Sequence, residues 1–103
     1  MIAISATDKK LTASMDLRFG RSPYFLLIDE DTTRFVVNPY SSEENDVAAQ
    51  VVAMLKEERV TKVITGEIGP KAKVYLDRNK IQIIMLTEEK ISLQHVLKRM
   101  KRT

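Results

Sequence analysis

The chain has 103 residues, of which 44% are hydrophobic and 30% charged, with three glycines, three prolines and no cysteine. A chain of this length buries roughly 60–70% of the surface its unfolded form exposes, so it folds without disulfides or a structural metal; the composition excludes collagenous, low-complexity and disordered chains, and the absence of cysteine excludes a disulfide framework, a thiol nucleophile and thiolate-held zinc or iron–sulfur centres. The formal net charge of +3 is unevenly spread: residues 1–89 carry 12 basic and 14 acidic side chains, and the positive excess lies in Lys90, Lys98, Arg99, Lys101 and Arg102.

In chain order, residues 1–6 are short, apolar and Ile-rich and predict a first strand that starts the chain in the core. The segment lacks the basic and long apolar regions of a signal peptide. No apolar run approaches the roughly 20 residues of a membrane span, so a cytoplasmic protein with no membrane partner is expected. Residues 7–22 have no clear period, and a loop of that length is usually functional or disordered. Tyr24-Phe25-Leu26-Leu27-Ile28 predicts a second strand, Asp29-Glu30-Asp31-Thr32-Thr33 a polar turn, and Arg34-Phe35-Val36-Val37 a third strand closed by Asn38-Pro39. So short a turn favours an antiparallel hairpin.

Val47, Val51 and Leu55 recur at helical spacing, with Asp46 or Ser42 available as a cap. Residues 61–65 predict a fourth strand. Gly66-Glu67-Ile68-Gly69-Pro70 predicts a turn into a second helix, with Pro70 at its first position and Asn79 able to take a left-handed cap. Residues 81–86 predict a fifth strand, and Ser92 caps a last helix with Leu93, Val96, Leu97 and Met100 on one stripe. Crossover helices make the later strands parallel, with helices on both faces of one sheet in a single domain over residues 1–103.

Three segments then carry a resemblance. Asp16-Leu17-Arg18-Phe19-Gly20-Arg21-Ser22-Pro23-Tyr24-Phe25, Asn38-Pro39 and Val63-Ile64-Thr65-Gly66-Glu67-Ile68-Gly69-Pro70 stand in the order found in the dinitrogenase iron–molybdenum cofactor biosynthesis family. The chain resembles that family, which includes NifX-type proteins, the C-terminal domain of NifB and nitrogenase gamma-type cofactor carriers, over about residues 1–100. The resemblance implies an α/β, three-layer ribonuclease H-like fold. Its five-stranded mixed sheet is ordered 3-2-1-4-5, with strand 2 antiparallel. It also implies binding and carriage of an iron–sulfur or iron–molybdenum cluster, with cofactor-assembly or cluster-accepting proteins as partners. Cluster-carrying members often have a His-Gly-type segment after Asn-Pro. Here Tyr40-Ser41-Ser42-Glu43-Glu44-Asn45-Asp46 holds no His, Cys or Gly. Cluster iron prefers thiolate or imidazole, so what remains is outer-sphere binding by basic side chains and backbone N–H groups.

The candidate binding residues are Arg18, Phe19, Gly20, Arg21, Gly66, Glu67 and Gly69. Two readings stand for the 66–70 turn: an anion site of exposed N–H groups at a helix N-terminus, or a tight turn whose glycines take special dihedrals. Two also stand for the loop. Arg18 and Arg21 clamp an anionic or planar ligand beside Phe19, or Arg18 pairs with Asp16 while Phe19 pins the loop to the core. The expected ligand position lies between residues 7–22, 40–46 and 66–70. The lone His95 is expected on the surface and cannot make a closed metal site. No Ser-His-Asp, Cys-His or HExxH arrangement is available. The first strand lacks the acid that a two-metal nuclease places there. No catalytic residue and no metal ligand is assigned, and a non-enzymatic role is expected. The run Lys98-Arg99-Met100-Lys101-Arg102 complements a helix C-terminus or acts on an acidic partner. The second reading makes the chain a cofactor-free interaction or regulatory protein. The aromatics do not alternate with this run as an RNA-stacking face would, so nucleic acid is not expected as a partner.

Overall fold

A computed structural model describes residues 1–30, 32–43 and 46–100 of the chain. The elements are β1 (Ile2–Ala6), β2 (Tyr24–Asp29), β3 (Thr32–Val37), α1 (Ala48–Glu57), β4 (Lys62–Thr65), α2 (Pro70–Arg78), β5 (Gln82–Met85) and α3 (Leu93–Met100). The sheet is ordered β3-β2-β1-β4-β5. β2 runs antiparallel to both neighbours, while β1, β4 and β5 run parallel. This is the mixed sheet and strand order that the resemblance implies, and the antiparallel hairpin is the one read from the residues.

β1 sits at the middle of the sheet and is buried on both sides, with Ala3, Ile4, Ser5 and Ala6 all buried, as are Phe25 to Ile28 of the adjoining β2. The alternating residues of β1 build two cores. Ala3 joins Phe25, Leu27 and Val63 beneath Val51, Val52 and Leu55 of α1 and Ala72 and Leu76 of α2. Ile4 and Ala6 join Leu26, Ile28 and Ile64 beneath Leu93 and Val96 of α3. Two helices therefore cover one face and one covers the other. The β2–β3 hairpin closes with Asp29 opposite Thr32, which leaves a two-residue turn, and Glu30 there has a φ of 53°. Such left-handed turns suit the twist of paired strands. Asp31, the other turn residue, lies outside the described residues.

Both long helices end by the same device. In α1, Arg59 has a φ of 65°, and the Arg59 and Val60 N–H groups donate to the Lys56 and Leu55 carbonyls at 2.9 and 3.0 Å. In α2, Lys80 has a φ of 57°, and the Lys80 and Ile81 N–H groups donate to Asp77 and Leu76 at 3.1 and 2.9 Å. These are two Schellman endings, each closed by a buried apolar pair, Val60 with Leu55 and Ile81 with Leu76. The left-handed residue is thus Lys80, not Asn79 as the sequence suggests; Asn79 has a φ of −92° and its amide donates to the Tyr75 carbonyl at 2.8 Å. Burial of Ile81 fixes the register and overrides the preference of Asn for the left-handed position.

The starts of the helices set up the site. α2 begins with Gly69 as cap and Pro70 as its first residue, as expected. α1 has Val47 at the cap position, and Asp46, one residue earlier, accepts the Ala48 N–H at 3.0 Å; Ser42 does not serve. Ser92 caps α3 by accepting the His95 N–H at 3.2 Å. The long loop satisfies the rest of that end: the Leu93 and Gln94 N–H groups donate to the Ala13 and Leu11 carbonyls at 2.9 and 3.0 Å. Residues 7–15 are therefore an ordered cover for α3.

The left-handed cations that end α1 and α2 give a direct test. Replacing Arg59 or Lys80 by Gly should raise stability by up to about 1 kcal/mol each, because a side chain is disfavoured at positive φ. Urea unfolding of Arg59→Gly and Lys80→Gly measures this.

Candidate functional site

The loop crosses from the α3 face to the α1/α2 face over the carboxyl ends of β1 and β4. Ser5 makes the crossing possible. Its hydroxyl donates to the Asp16 carbonyl at 2.5 Å and shares a hydrogen bond with the Thr65 hydroxyl at 2.7 Å, while the Asp16 N–H donates to the Ser5 carbonyl at 2.9 Å. The Glu67 N–H then donates to the Leu17 carbonyl and the Phe19 N–H to the Glu67 carbonyl, which sets Arg18 beside Glu67 in a parallel bridge.

Gly66 lies directly under this crossing. A Cβ there would sit 2.8 Å from Leu17 Cα and 2.5 Å from Leu17 Cδ2. Glycine is required for that close approach and not for a special dihedral, since no glycine has a positive φ. Gly69 differs: a Cβ there meets nothing within 4 Å.

Beyond the crossing lies a cavity of about 470 Å³, lined by residues 18–21 of the loop, 46–48 at the start of α1, Glu67, and 69–72 at the start of α2. Six of the seven candidate residues, Arg18, Phe19, Gly20, Arg21, Glu67 and Gly69, line it. Gly66 does not; it is buried against Leu17. Of the expected 40–46 wall, Asp46 reaches the cavity. Tyr40 packs on the α1/α2 core, and Glu44 and Asn45 lie outside the described residues.

The lining side chains play different parts. Arg18 is held by Asp16, which is only 4% exposed: its Nε and Nη2 donate to Oδ1 and Oδ2 at 3.2 Å each. The hydrogen bond to Asp16, with its charge, raises the Arg18 pKa further. Phe19 is buried with its ring 5.6 Å from that of Phe25. It anchors the loop and is not an exposed stacking surface. Both are the structural alternatives left open by the sequence. Arg21 is half-buried and makes no ion pair among the described residues. Across the cavity mouth, Lys71 Nζ lies 2.9 Å from Asp46 Oδ2. The Ala48 N–H, and after it Lys71, hold the Asp46 carboxyl below the usual carboxylate range, and Asp46 raises Lys71 in turn. A carboxyl lowered in this way keeps its partners above its ordinary pKa and loses them only as pH falls through the lowered value.

The helix starts add N–H donors. The first intrahelical bond of α2 runs from Lys73 to Gly69 at 3.0 Å. The N–H groups of Lys71 and Ala72, both in the cavity wall, therefore have no acceptor in their own helix. Asn38, 1% exposed, fastens the loop: its amide donates to the Gly20 and Ser22 carbonyls at 3.2 and 2.9 Å. Sequence reasoning included Asp46 in the expected 40–46 wall but missed Lys71 and its pairing with Asp46. The available signal was a lysine in the first turn of a helix, where the macrodipole disfavours a cation unless an anion is near.

Other candidate groups lie elsewhere. His95 is exposed on α3, on the opposite face of the sheet. No group of three or more His, Cys, Asp or Glu suited to a metal ion is found among the described residues. Arg99 is engaged by Glu88 through both nitrogens, at 2.5 and 2.8 Å. Lys101 and Arg102 lie outside the described residues. No helix among the described residues is long and apolar enough to cross a membrane.

The sequence matches the family model for dinitrogenase iron-molybdenum cofactor proteins over residues 1–103. The chain belongs to this family. Solved structures share its fold. The apo form of the orange protein from Desulfovibrio gigas is similar at 23% identity, with a TM-score of 0.87, over 97% of this chain and 85% of that one. A protein from Thermotoga described as a candidate NifB protein is similar at 22% identity, with a TM-score of 0.82, over 97% of this chain and 85% of that one. No curated protein matches the chain. The cavity of this family member is lined by Arg18 to Arg21, Glu67, Gly69 and Pro70, which belong to the first and third of the segments that carried the resemblance.

The two glycines of the second segment separate packing from access. Gly66→Ala should cost about 1–3 kcal/mol, since the added carbon must push the Leu17 backbone away. Gly69→Ala should cost less than about 1 kcal/mol, the loss of a tolerated cap residue. Denaturant unfolding of both variants checks the contrast.

Proposed function

We propose that the chain is a non-enzymatic carrier that seats an anionic iron–sulfur or iron–molybdenum cluster in this cavity and exchanges it with cofactor-assembly and cluster-accepting proteins. One observation carries the reading: Arg18, Arg21, Lys71 and the starts of α1 and α2 converge on one cavity of about 470 Å³, a volume ordinary for a ligand site. Family membership supplies the ligand class.

The donor set decides how such a cluster is held. The chain has no cysteine, and its one histidine, His95, is on α3. The carboxylates of Asp46 and Glu67 are hard donors that suit magnesium or calcium better than cluster iron. The residues that fit are the guanidinium, ammonium and backbone N–H donors, which bind the sulfides of an anionic cluster from outside. A cargo held without a metal–protein bond can leave without breaking one. Exchange of that kind suits a carrier.

Anaerobic reconstitution with ferrous iron and sulfide, with and without molybdate, tests this. The wild-type chain should retain iron and visible-range absorption through desalting. Arg21→Gln and Lys71→Gln should each retain the cluster at least about tenfold more weakly, the worth of one charge-assisted hydrogen bond. A colourless, iron-free wild-type protein would instead assign the chain as a cofactor-free interaction protein.

A further inference from the structure

Asp46 stands where an anionic ligand would have to bind. Its Oδ1 accepts the Ala48 N–H at the start of α1, and its Oδ2 pairs with Lys71 Nζ at the start of α2, at 3.0 and 2.9 Å. Arg21, which lines the same cavity, adds favourable charge. These are three of the groups on which the proposed anion site depends.

A second feature involves the same pair. Next to the main cavity lies an open groove of about 390 Å³, lined by Asp46, Pro70, Lys71, Val74, Tyr75 and Arg78. Asp46, Pro70 and Lys71 line both spaces, so the Asp46–Lys71 bridge forms part of the partition between them.

We infer that Asp46 is a specificity-determining residue: a tethered carboxylate that occupies the anion corner of the cavity and must be displaced from Lys71 before a ligand is seated. The inference rests on the reading of the cavity as an anion site. A tethered carboxylate loses little freedom in holding its place, so it excludes free anions that bind Lys71 no better than a carboxylate does. An anion with several acceptor atoms can engage Lys71, Arg21 and the free N–H groups of α2 together, and it displaces Asp46. The pair is solvent-exposed, and exposed ion pairs contribute little, so the displacement is cheap for such a ligand. Moving Asp46 aside also opens the partition, which lets a larger cargo extend toward Tyr75 and Arg78.

The test is calorimetric titration of the full chain with molybdate, a dianion with four acceptor oxygens. Asp46→Asn is the informative variant, because Asn caps a helix as well as Asp and still offers an oxygen to the Ala48 N–H. Its thermal unfolding should match that of the wild type. Its molybdate affinity should rise about tenfold, the effect of removing one unit charge beside a solvated anion, while Lys71→Gln should bind more weakly than the wild type. Equal or weaker binding by Asp46→Asn, where the wild type binds, overturns the role of Asp46 and leaves the cavity reading intact. If neither protein binds molybdate, iron retained after sulfide reconstitution becomes the readout. More iron in Asp46→Asn than in the wild type then supports the inference, and equal or less iron overturns it. Absence of both molybdate and iron from every variant removes the anion reading and this inference together.

Discussion

The site depends on one steric constraint: the backbone of residues 16–19 must lie on residue 66 with no side chain between them. A Cβ at Gly66 would come within 2.9 Å of three atoms of Leu17. That contact lets the loop cross the ends of β1 and β4, and the crossing delivers Arg18, Phe19 and Arg21 to the cavity. The polar groups beneath it leave little freedom. Ser5, Thr65 and Asp16 are all buried and bonded to one another, and no buried side-chain polar atom among the described residues lacks a partner. Shifting the loop would strand several of these groups away from water, each at a cost of about 1–3 kcal/mol.

The ion pairs around the cavity differ in kind. Arg18 faces a carboxylate that is 4% exposed. Removing its partner would leave that carboxylate buried and short of donors, so Arg18 is a fixed post. Lys71 and Asp46 are paired in the open, where water and salt substitute readily. The charges around the cavity thus nearly cancel, and in the proposed function its capacity for anions comes from a pair that can exchange partners. Net charge alone would have misjudged it, because the basic excess of the chain lies in residues 90–102, and none of the described residues there lines this cavity.

Much of the fold was legible because local pattern and burial agree. The doubly apolar β1, the short polar hairpin turn and Pro70 at the first position of α2 all reflect constraints that act within a few residues. The general place of the cavity was legible from strand order, which sets the loop after β1 beside the turn after β4. The roles of particular residues were less so. Gly66 reads as a turn glycine, and only the path of a loop distant in sequence reveals the close approach it permits. Asn79 was favoured by its type for the left-handed position, but the apolar contact of Ile81 with Leu76 assigns it to Lys80. Asp46 reads as a helix cap and Lys71 as a first-turn lysine, and neither segment shows that the two meet, which they do because α1 and α2 start side by side.

The central claim is that an anionic metal cluster is held here by charge and N–H donors and not by metal–protein bonds. Anomalous diffraction at the iron edge, from crystals of the anaerobically reconstituted chain, tests it most directly. The account predicts metal density inside the cavity, near Arg21, Gly69 and Lys71, with no protein atom at bonding distance from iron. Iron bonded to His95, or to any side-chain atom outside the cavity, would contradict it.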